Sequence, residues 1–378
     1  MRWPVVVGSI ILLLVVGVGA HGQESDPVEG VTDQDQIQIG RGNDGSETEA
    51  EDGADALDDK TVEAVNQLLL GSRFTTAPPQ GRKGQLNRFR FENEQTTFSF
   101  GGAIWANYSF QSWKSSDEGK KRGLNFDNLR LAFDGSYGEH LLFSAQYRVY
   151  SYTRALHHAW FGFRWRDSNQ IELGISQVPF GLLPFATNSF WFGLGYYVGM
   201  EDDYDAGVKW FHNRGPWDLH LAYYINEEYN DATNLNRYSV DIVRDGDQQN
   251  EEINQFNARL AYTFGEGTES SSEFGISGEI GQLDNLTTDR MGEHWQAAVH
   301  YSGRYGGWNP EVQIARYEYS PENPPGIDDR LVLMGNLTST RLVAAKGTVV
   351  NLNIRRFWDV SWGPFKKFNA YINYSHQF

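Results

Sequence analysis

The chain has 378 residues and a formal net charge of −17, and it contains no cysteine. The absence of Cys excludes disulfide frameworks, thiolate zinc sites, iron–sulfur clusters and a Cys nucleophile. The acidic balance argues against a nucleic-acid partner, because phosphate binding needs a basic face. The 40 Gly, 12 Trp, 19 Tyr and 23 Phe favour a β-rich chain with many tight turns.

The first 20 residues have the organisation of a secretory signal peptide. Arg2 provides a basic start, residues 5–18 are apolar, and Val18-Gly19-Ala20 is a small-residue cleavage site. A transmembrane anchor is the alternative, but the apolar run is shorter than the roughly 20 residues that a membrane-spanning helix needs. We predict cleavage, and a mature protein that begins near His21 outside the cytoplasm.

The next segment is strongly acidic and almost free of aromatic residues. Such a composition cannot bury enough apolar area to offset the entropy cost of ordering, so residues 21–58 are predicted to be a disordered acidic segment. Residues 59–96 are predicted to hold one short helix and a linker, since apolar residues at helical spacing lead up to Gly71.

From residue 97 to residue 378 the chain alternates apolar and polar residues in segments of about ten residues, separated by Gly, Asp, Asn and Pro. In residues 368–378, five of six side chains on one face are apolar or aromatic, and four of five on the other face are polar. Fourteen segments share this pattern, and one or two further strands are expected at 341–347 and 88–94.

A soluble sandwich would show the same alternation, so other features decide the class. Aromatic residues lie at strand ends on the apolar face, as in 161–165 and 217–223, which suits two membrane interfaces. The last residue, Phe378, is also aromatic. We therefore predict an all-β fold, a transmembrane antiparallel β-barrel over 97–378 in a bacterial outer membrane. A sheet in lipid must close, and about 16 strands are expected, with 14 as the alternative.

Short motifs within the barrel resemble one family. LGISQVPFG at 173–181 resembles the strand-to-loop junction of the phosphate-selective porin O and P family, and LRLAFDG at 129–135 and DAGV at 205–208 also match. The resemblance spans about residues 125–230. It implies a sixteen-stranded homotrimeric channel whose third loop folds into the lumen, and a C-terminal strand ending at Phe378 that the barrel-assembly machinery reads.

The strand phase predicts which charged side chains point inward, because apolar residues must face lipid. Inward acids are Asp134, Glu172, Asp218 and Glu279. The candidate pore-lining cations are Arg130, Arg148, Arg164, Lys209, Arg259 and Arg355. Cations outnumber acids here, which predicts a modest preference for anions. The alternative is that the charges pair across strands and only keep the lumen wet.

Residues 181–203 form a long aromatic interruption between strands and are the candidate constriction loop. The residues singled out are Phe185, Phe190, Trp191, Tyr196, Tyr197, Glu201 and Asp202. An ordinary extracellular loop and a further strand are the alternatives. The loop holds no Lys or Arg, so it departs from the basic anion site that a phosphate-selective channel requires.

The predicted function is passive diffusion of small hydrophilic solutes or anions through an outer-membrane porin, with no catalysis, cofactor or metal. Expected partners are outer-membrane lipid, the assembly machinery and two further copies of the chain. One alternative is an outer-membrane barrel enzyme that uses Ser or Asp with His on its rim. The other is a soluble exported β-rich protein that stacks carbohydrate on its aromatic side chains.

Overall fold

The computed structural model describes residues 87–93, 95–110, 122–166, 168–188, 192–265, 270–363 and 365–378. The predicted signal peptide and acidic segment, and most of the predicted helix and linker, lie outside the described residues. No helix in the described part of the chain is both long enough and apolar enough to cross a membrane.

The described chain is built almost entirely of strands. In chain order the elements are β1 Asn87–Glu92, β2 Thr96–Phe110, β3 Arg122–Tyr137, β4 Leu141–Tyr150, β5 Arg154–Trp165, β6 Asn169–Gln177, α1 Leu194–Tyr197, β7 Tyr204–Arg214, β8 Trp217–Asn226, β9 Asp241–Ile242, β10 Asn250–Phe264, β11 Ser270–Asn285, β12 Arg290–Tyr305, β13 Trp308–Ser320, β14 Leu331–Asn336, β15 Ser339–Ala344, β16 Lys346–Trp362 and β17 Phe365–Gln377.

Fourteen of these strands form one antiparallel sheet, which we call the barrel wall. Its order follows the chain from β1 to β17 and leaves out β9, β14 and β15. The three omitted strands form a second antiparallel sheet in the order β15-β14-β9, which we call the inner sheet. The wall therefore has the smaller of the two strand counts considered from the sequence. The predicted wall strand at 331–337 belongs instead to the inner sheet as β14, and most of the further strand expected at 341–347 belongs there as β15. The strand expected at 88–94 is β1, which supplies the fourteenth wall strand.

The two faces of the wall have opposite chemistry, because successive side chains of a strand point to opposite sides. On β12 the buried face carries His294, Gln296 and His300, while Trp295 and Val299 on the other face are exposed. A soluble sandwich buries its apolar face. Here the polar face is buried, as the strand phase predicted.

The connections at the two ends of the wall differ in length. At one end they are tight turns such as 138–140 and 215–216, where Gly138 and Gly215 have φ values of 58° and 59° that favour glycine. At the other end, residues 178–203, 227–249 and 321–345 make much longer connections.

These long connections fold onto the concave face of the wall, and the main apolar core lies between them and the wall. The core side chains from the connections are Val178, Phe180, Tyr196, Val198, Met200, Val240, Ile242, Val332 and Met334. Those from the wall are Ala222, Tyr224, Leu283, Ala298, Ala315, Tyr317, Tyr319 and Val349. Because these wall residues come from β8, β11, β12, β13 and β16, the sheet curves around the connections that pack on its concave face. Among the described residues, no strand pairing joins β1 to β17.

The last residue is held by backbone hydrogen bonds to β16. The Phe378 N–H donates to the Thr348 carbonyl at 2.9 Å, the Thr348 N–H donates to the Phe378 carbonyl at 3.1 Å, and the Phe378 side chain is 77% exposed. Deleting Phe378 removes both bonds and an outward aromatic side chain. We expect a smaller fraction of heat-modifiable, folded barrel in membranes, with Phe378→Tyr as the matched control. An unchanged folded yield would contradict this expectation.

Candidate functional site

Two of the six predicted pore-lining cations lie side by side on the concave face. Arg130 and Arg148 are direct cross-strand partners on β3 and β4, and both are buried. The Arg130 guanidinium lies 3.8 Å from the centre of the Trp105 ring, and the Arg148 guanidinium lies 4.2 Å from that of Tyr238. Aromatic faces stabilise cations. The charge of the buried Asp202 acts on both guanidinium groups, so their positive charge is partly balanced.

Two other cations are engaged in ion pairs with acids on the same face. Lys209 Nζ lies 3.0 Å from Glu172. Arg259 lies 3.0 Å from Asp218 and 2.7 Å from Glu273. These pairs largely cancel their own charge, so Lys209 and Arg259 contribute little net positive field to the lumen.

The remaining two cations are hydrogen-bonded to side-chain amides. Arg164 donates to the Gln170 Oε1 at 3.1 Å, and Arg355 donates to the Asn309 Oδ1 at 2.8 Å. Neutral acceptors leave the formal charge of a guanidinium intact.

The connection between β6 and β7, residues 178–203, is called the inner segment. Its backbone is hydrogen-bonded to side chains from well-separated wall strands: Gly181 N–H to Ser277 Oγ at 2.8 Å, Leu182 N–H to Gln313 Oε1 at 2.7 Å, Asn188 N–H to Asn373 Oδ1 at 3.1 Å and Leu194 N–H to Ser375 Oγ at 2.9 Å. The segment therefore runs across the inside of the curved wall. Gly181 has a φ of 59°, which favours glycine, and a Cβ there would lie 2.1 Å from Gln313 Oε1 and displace that side chain.

Glu201 anchors this segment. Its carboxylate accepts the Ala186 N–H at 3.1 Å within the segment, and the amides of Gln313 at 2.8 Å and Asn351 at 2.6 Å from the wall. The side chain is buried. The structure thus gives this candidate constriction acid a visible role in holding the segment to β13 and β16.

Asp202 lies in a cluster of tyrosines. It accepts the Tyr204 hydroxyl at 3.1 Å and a short hydrogen bond from the Tyr238 hydroxyl. Burial raises the pKa of Asp202, and the charge of Arg148 acts in the opposite direction.

The aromatic residues singled out from the sequence form a stack around α1. Tyr196 stacks on Phe192 with ring centres 4.2 Å apart, and Tyr197 and Phe185 make edge contacts with Tyr196 and Phe192 at 5.4 and 4.9 Å. Phe190 and Trp191, also singled out, lie outside the described residues. The described aromatics therefore pack mainly on one another.

A cavity of 490 Å³ lies between the inner segment and the last two wall strands. Its lining is mostly polar: Thr187, Asn351, Asn353, Asn373 and Ser375, with the aromatic rings of Phe192, Tyr371 and Tyr374. Amide and hydroxyl groups at such a position can exchange hydrogen bonds with water or a hydrophilic solute.

Arg237, which no sequence pattern singled out, is the largest fully buried side chain of the described residues. It lies in the connection that carries β9, and it donates to Asp241 at 2.8 Å and to Glu227 at 3.2 Å. Two further bonds go to the backbone carbonyls of Asn234 and Asp231. One buried guanidinium thereby fixes the whole connection. A signal was present in the sequence, since this arginine lies between the acids at 227, 228 and 231 and the acid at 241.

Ser, His and Asp side chains do converge on the concave face, which bears on the enzyme alternative. Ser144 Oγ donates to Asp134 Oδ1 at 2.6 Å and lies 2.9 Å from His158 Nε2, and His158 Nδ1 lies 2.8 Å from His157 Nδ1. In a hydrolase triad the carboxylate orients the histidine. Here it binds the serine instead, so the order of contacts differs from that of a catalytic triad.

Comparisons with known proteins give distant similarities. No protein-family model and no curated protein matches the sequence. Among solved structures, the chain is similar to in-vitro folded OmpT, an outer membrane protein of Vibrio cholerae in trimer form. The two share 14% sequence identity, the match covers 75% of this chain and 90% of that chain, and the TM-score is 0.43. It is also similar to Pseudomonas aeruginosa OccK2 (OpdF), with 11% identity, 77% and 89% coverage and a TM-score of 0.27. TM-scores below 0.5 do not establish a common fold, so the architecture rests on the strand pairing described above.

Proposed function

We propose that the chain is a bacterial outer-membrane channel of the porin type, which passes small hydrophilic solutes by diffusion. The observation that carries this proposal is the inverted polarity of the barrel wall, with apolar side chains outside and polar side chains inside. Ile276, Ile280 and Ile372 on the outer face are 58, 61 and 72% exposed. A lipid-facing apolar surface around a polar interior is the arrangement of transmembrane barrels.

The same surface weighs against a soluble carbohydrate-binding protein. Contiguous apolar surface of this extent on a soluble monomer would cause aggregation. We expect the protein to stay with the membrane fraction until detergent is added. Release from cells without detergent would contradict the proposal.

Further parts of the proposal rest on the sequence. Residues 1–20 would direct export, and the last strand would engage the assembly machinery. The resemblance of 173–181 to the phosphate-selective porin O and P family supports a channel in trimeric form. Because residues 181–203 contain no Lys or Arg, we propose a modest general preference for anions and no dedicated phosphate site in this segment.

The proposed anion preference rests mainly on the two adjacent guanidinium groups of Arg130 and Arg148 on the concave face. Guanidinium groups stay charged at working pH and offer paired donors to oxyanions. Salt ions in the lumen screen the field that these charges exert on a passing solute, with a screening length of about 10 Å at 0.1 M salt and about 3 Å at 1 M. The preference is therefore expected to fall as salt rises.

Planar-bilayer recordings in a KCl gradient test this proposal. We expect discrete channel openings, and a wild-type reversal potential of anion-selective sign that shrinks between 0.1 M and 1 M salt. Arg130→Ala should move the potential toward zero, because it removes one of two adjacent lumen charges. Arg330→Ala, at an exposed position paired with Asp328, is the matched control. Absence of conductance from folded protein would contradict the channel, and a cation-selective wild type would contradict the anion preference.

A further inference from the structure

Three buried carboxylates meet where the inner segment, the barrel wall and the inner sheet come together. Asp203 ends the inner segment, Asp205 lies on β7, and Asp241 lies on β9. One oxygen from each of the three carboxylates lies within 4.8 Å of the corresponding oxygens of the other two. The three residues are 7, 5 and 1% exposed, so water does not screen them well.

A fourth carboxylate extends this cluster. Glu228 is 4% exposed, and the negative charge of Asp241 acts on its carboxyl group. Ionised carboxylates can only accept hydrogen bonds. A proton or a cation among these groups would relieve their mutual repulsion.

Two oxygens at this junction have no hydrogen-bond partner among the described residues. They are Asp205 Oδ1 and Glu228 Oε2, both buried. The other oxygens of these two side chains are bonded, to the Gln255 amide at 3.1 Å and to the Ser239 N–H at 2.8 Å. A buried carboxylate oxygen without a donor is costly, and each of these oxygens has a free position for a ligand.

The positive charge nearby is already engaged. Arg237 is held by Asp241 and Glu227, which leaves Asp203, Asp205 and Glu228 without a cation of their own among the described ion pairs. Negative charge at this junction therefore needs a proton or a metal ion to balance it.

We propose that Asp203, Asp205 and Asp241, with Glu228 beside them, bind one Ca²⁺ ion. Ca²⁺ takes oxygen ligands at about 2.3–2.6 Å in flexible geometry, so ligands on opposite sides of the ion are about 4.8 Å apart. The donor set contains only carboxylates, with no imidazole or sulfur, which suits a hard divalent cation. The ion would tie the inner segment and the inner sheet to β7 of the wall. This role is separate from solute passage and does not depend on the channel proposal.

Binding can be measured on the full chain folded in lipid-free detergent micelles, after EDTA treatment and dialysis. Calorimetric titration with CaCl₂ should show one saturable site, and Ca²⁺ should raise the temperature of thermal unfolding because it binds the folded state. Asp205→Asn and Asp203→Asn should each weaken Ca²⁺ affinity by at least about tenfold, since loss of a group that only orients a ligand already costs about that much. Asp247→Asn removes an exposed acid from the same connection as Asp241, and it should leave the affinity unchanged.

Folding of each variant is checked by its heat-modifiable migration. If Asp205→Asn fails to fold, Asp203→Asn and Glu228→Gln carry the comparison, and the wild-type titration stands without any variant. No saturable binding by the wild type up to about 10 mM Ca²⁺, beyond the weakest range of protein calcium sites, would overturn the proposal and assign protons to these carboxylates. Equal loss of affinity in Asp247→Asn would also overturn it.

Discussion

Replacing Arg237 by Met is expected to release the inner sheet and its connection from the barrel interior. The substitution leaves Asp241 and Glu227 buried without their cation, and removing one partner of a buried ion pair costs about 3–5 kcal/mol. Since every 1.4 kcal/mol is a factor of ten, the released state should become more populated by about two to three and a half orders of magnitude. Limited proteolysis of the folded protein should show faster cleavage within residues 227–249.

The wall itself should remain folded in this variant, because its strands pair independently of the inner sheet. Heat-modifiable migration provides that measurement. Arg330→Met, at a fully exposed ion pair, is the matched control and should change neither readout. If the Arg237→Met variant were cleaved no faster than the wild type, the buried ion pair would not be what holds this connection in place.

Removing the Glu201 side chain should widen the passage. Glu201→Ala deletes hydrogen bonds to Ala186, Gln313 and Asn351, each of which contributes about 1.5–3 kcal/mol because the acceptor is charged. The donors on the wall are then left unpaired. We expect the inner segment to leave its position, and single-channel conductance to rise by about twofold, since the narrowest part controls passage.

Single-channel recording also tests the origin of this effect. Glu318→Ala is the matched control. Glu318 lies on the same strand as Gln313 but is more exposed than Glu201 and pairs with Lys346, so its removal should leave conductance unchanged. A Glu201→Ala channel with wild-type conductance would show that the segment does not set the width of the passage.

The wall strands could be predicted from the sequence because the alternating pattern that marks each strand lies within that strand. A period of two marks each strand, and the lipid-facing requirement fixes the phase, so Arg130 and Asp134 were placed on the inner face before any pairing was known. All fourteen alternating segments are strands in the structure. The segment at 331–337 and most of the further strand expected at 341–347 belong to the inner sheet instead of the wall, because strands of a buried inner sheet carry a similar pattern.

The interior could not be predicted in the same way. Glu201 contacts Gln313 and Asn351 across 112 and 150 residues of sequence, and no local pattern reports such partners. The strand β9 has two residues, which is too short for periodicity. The three carboxylates at 203, 205 and 241 come from elements whose proximity only the fold reveals.

Wall contacts join residues that are close in sequence and interior contacts join residues that are far apart, so the two sets should form in a definite order during folding. Neighbouring wall strands are close in sequence and can pair one hairpin at a time, whereas Asn336 reaches Tyr196 across 140 residues. Closing such long loops is slow compared with local pairing. The interior contacts should therefore form last, after β14 has been added. During folding the barrel should pass through an intermediate in which the wall strands are paired but the inner segment and the inner sheet are not yet packed against them.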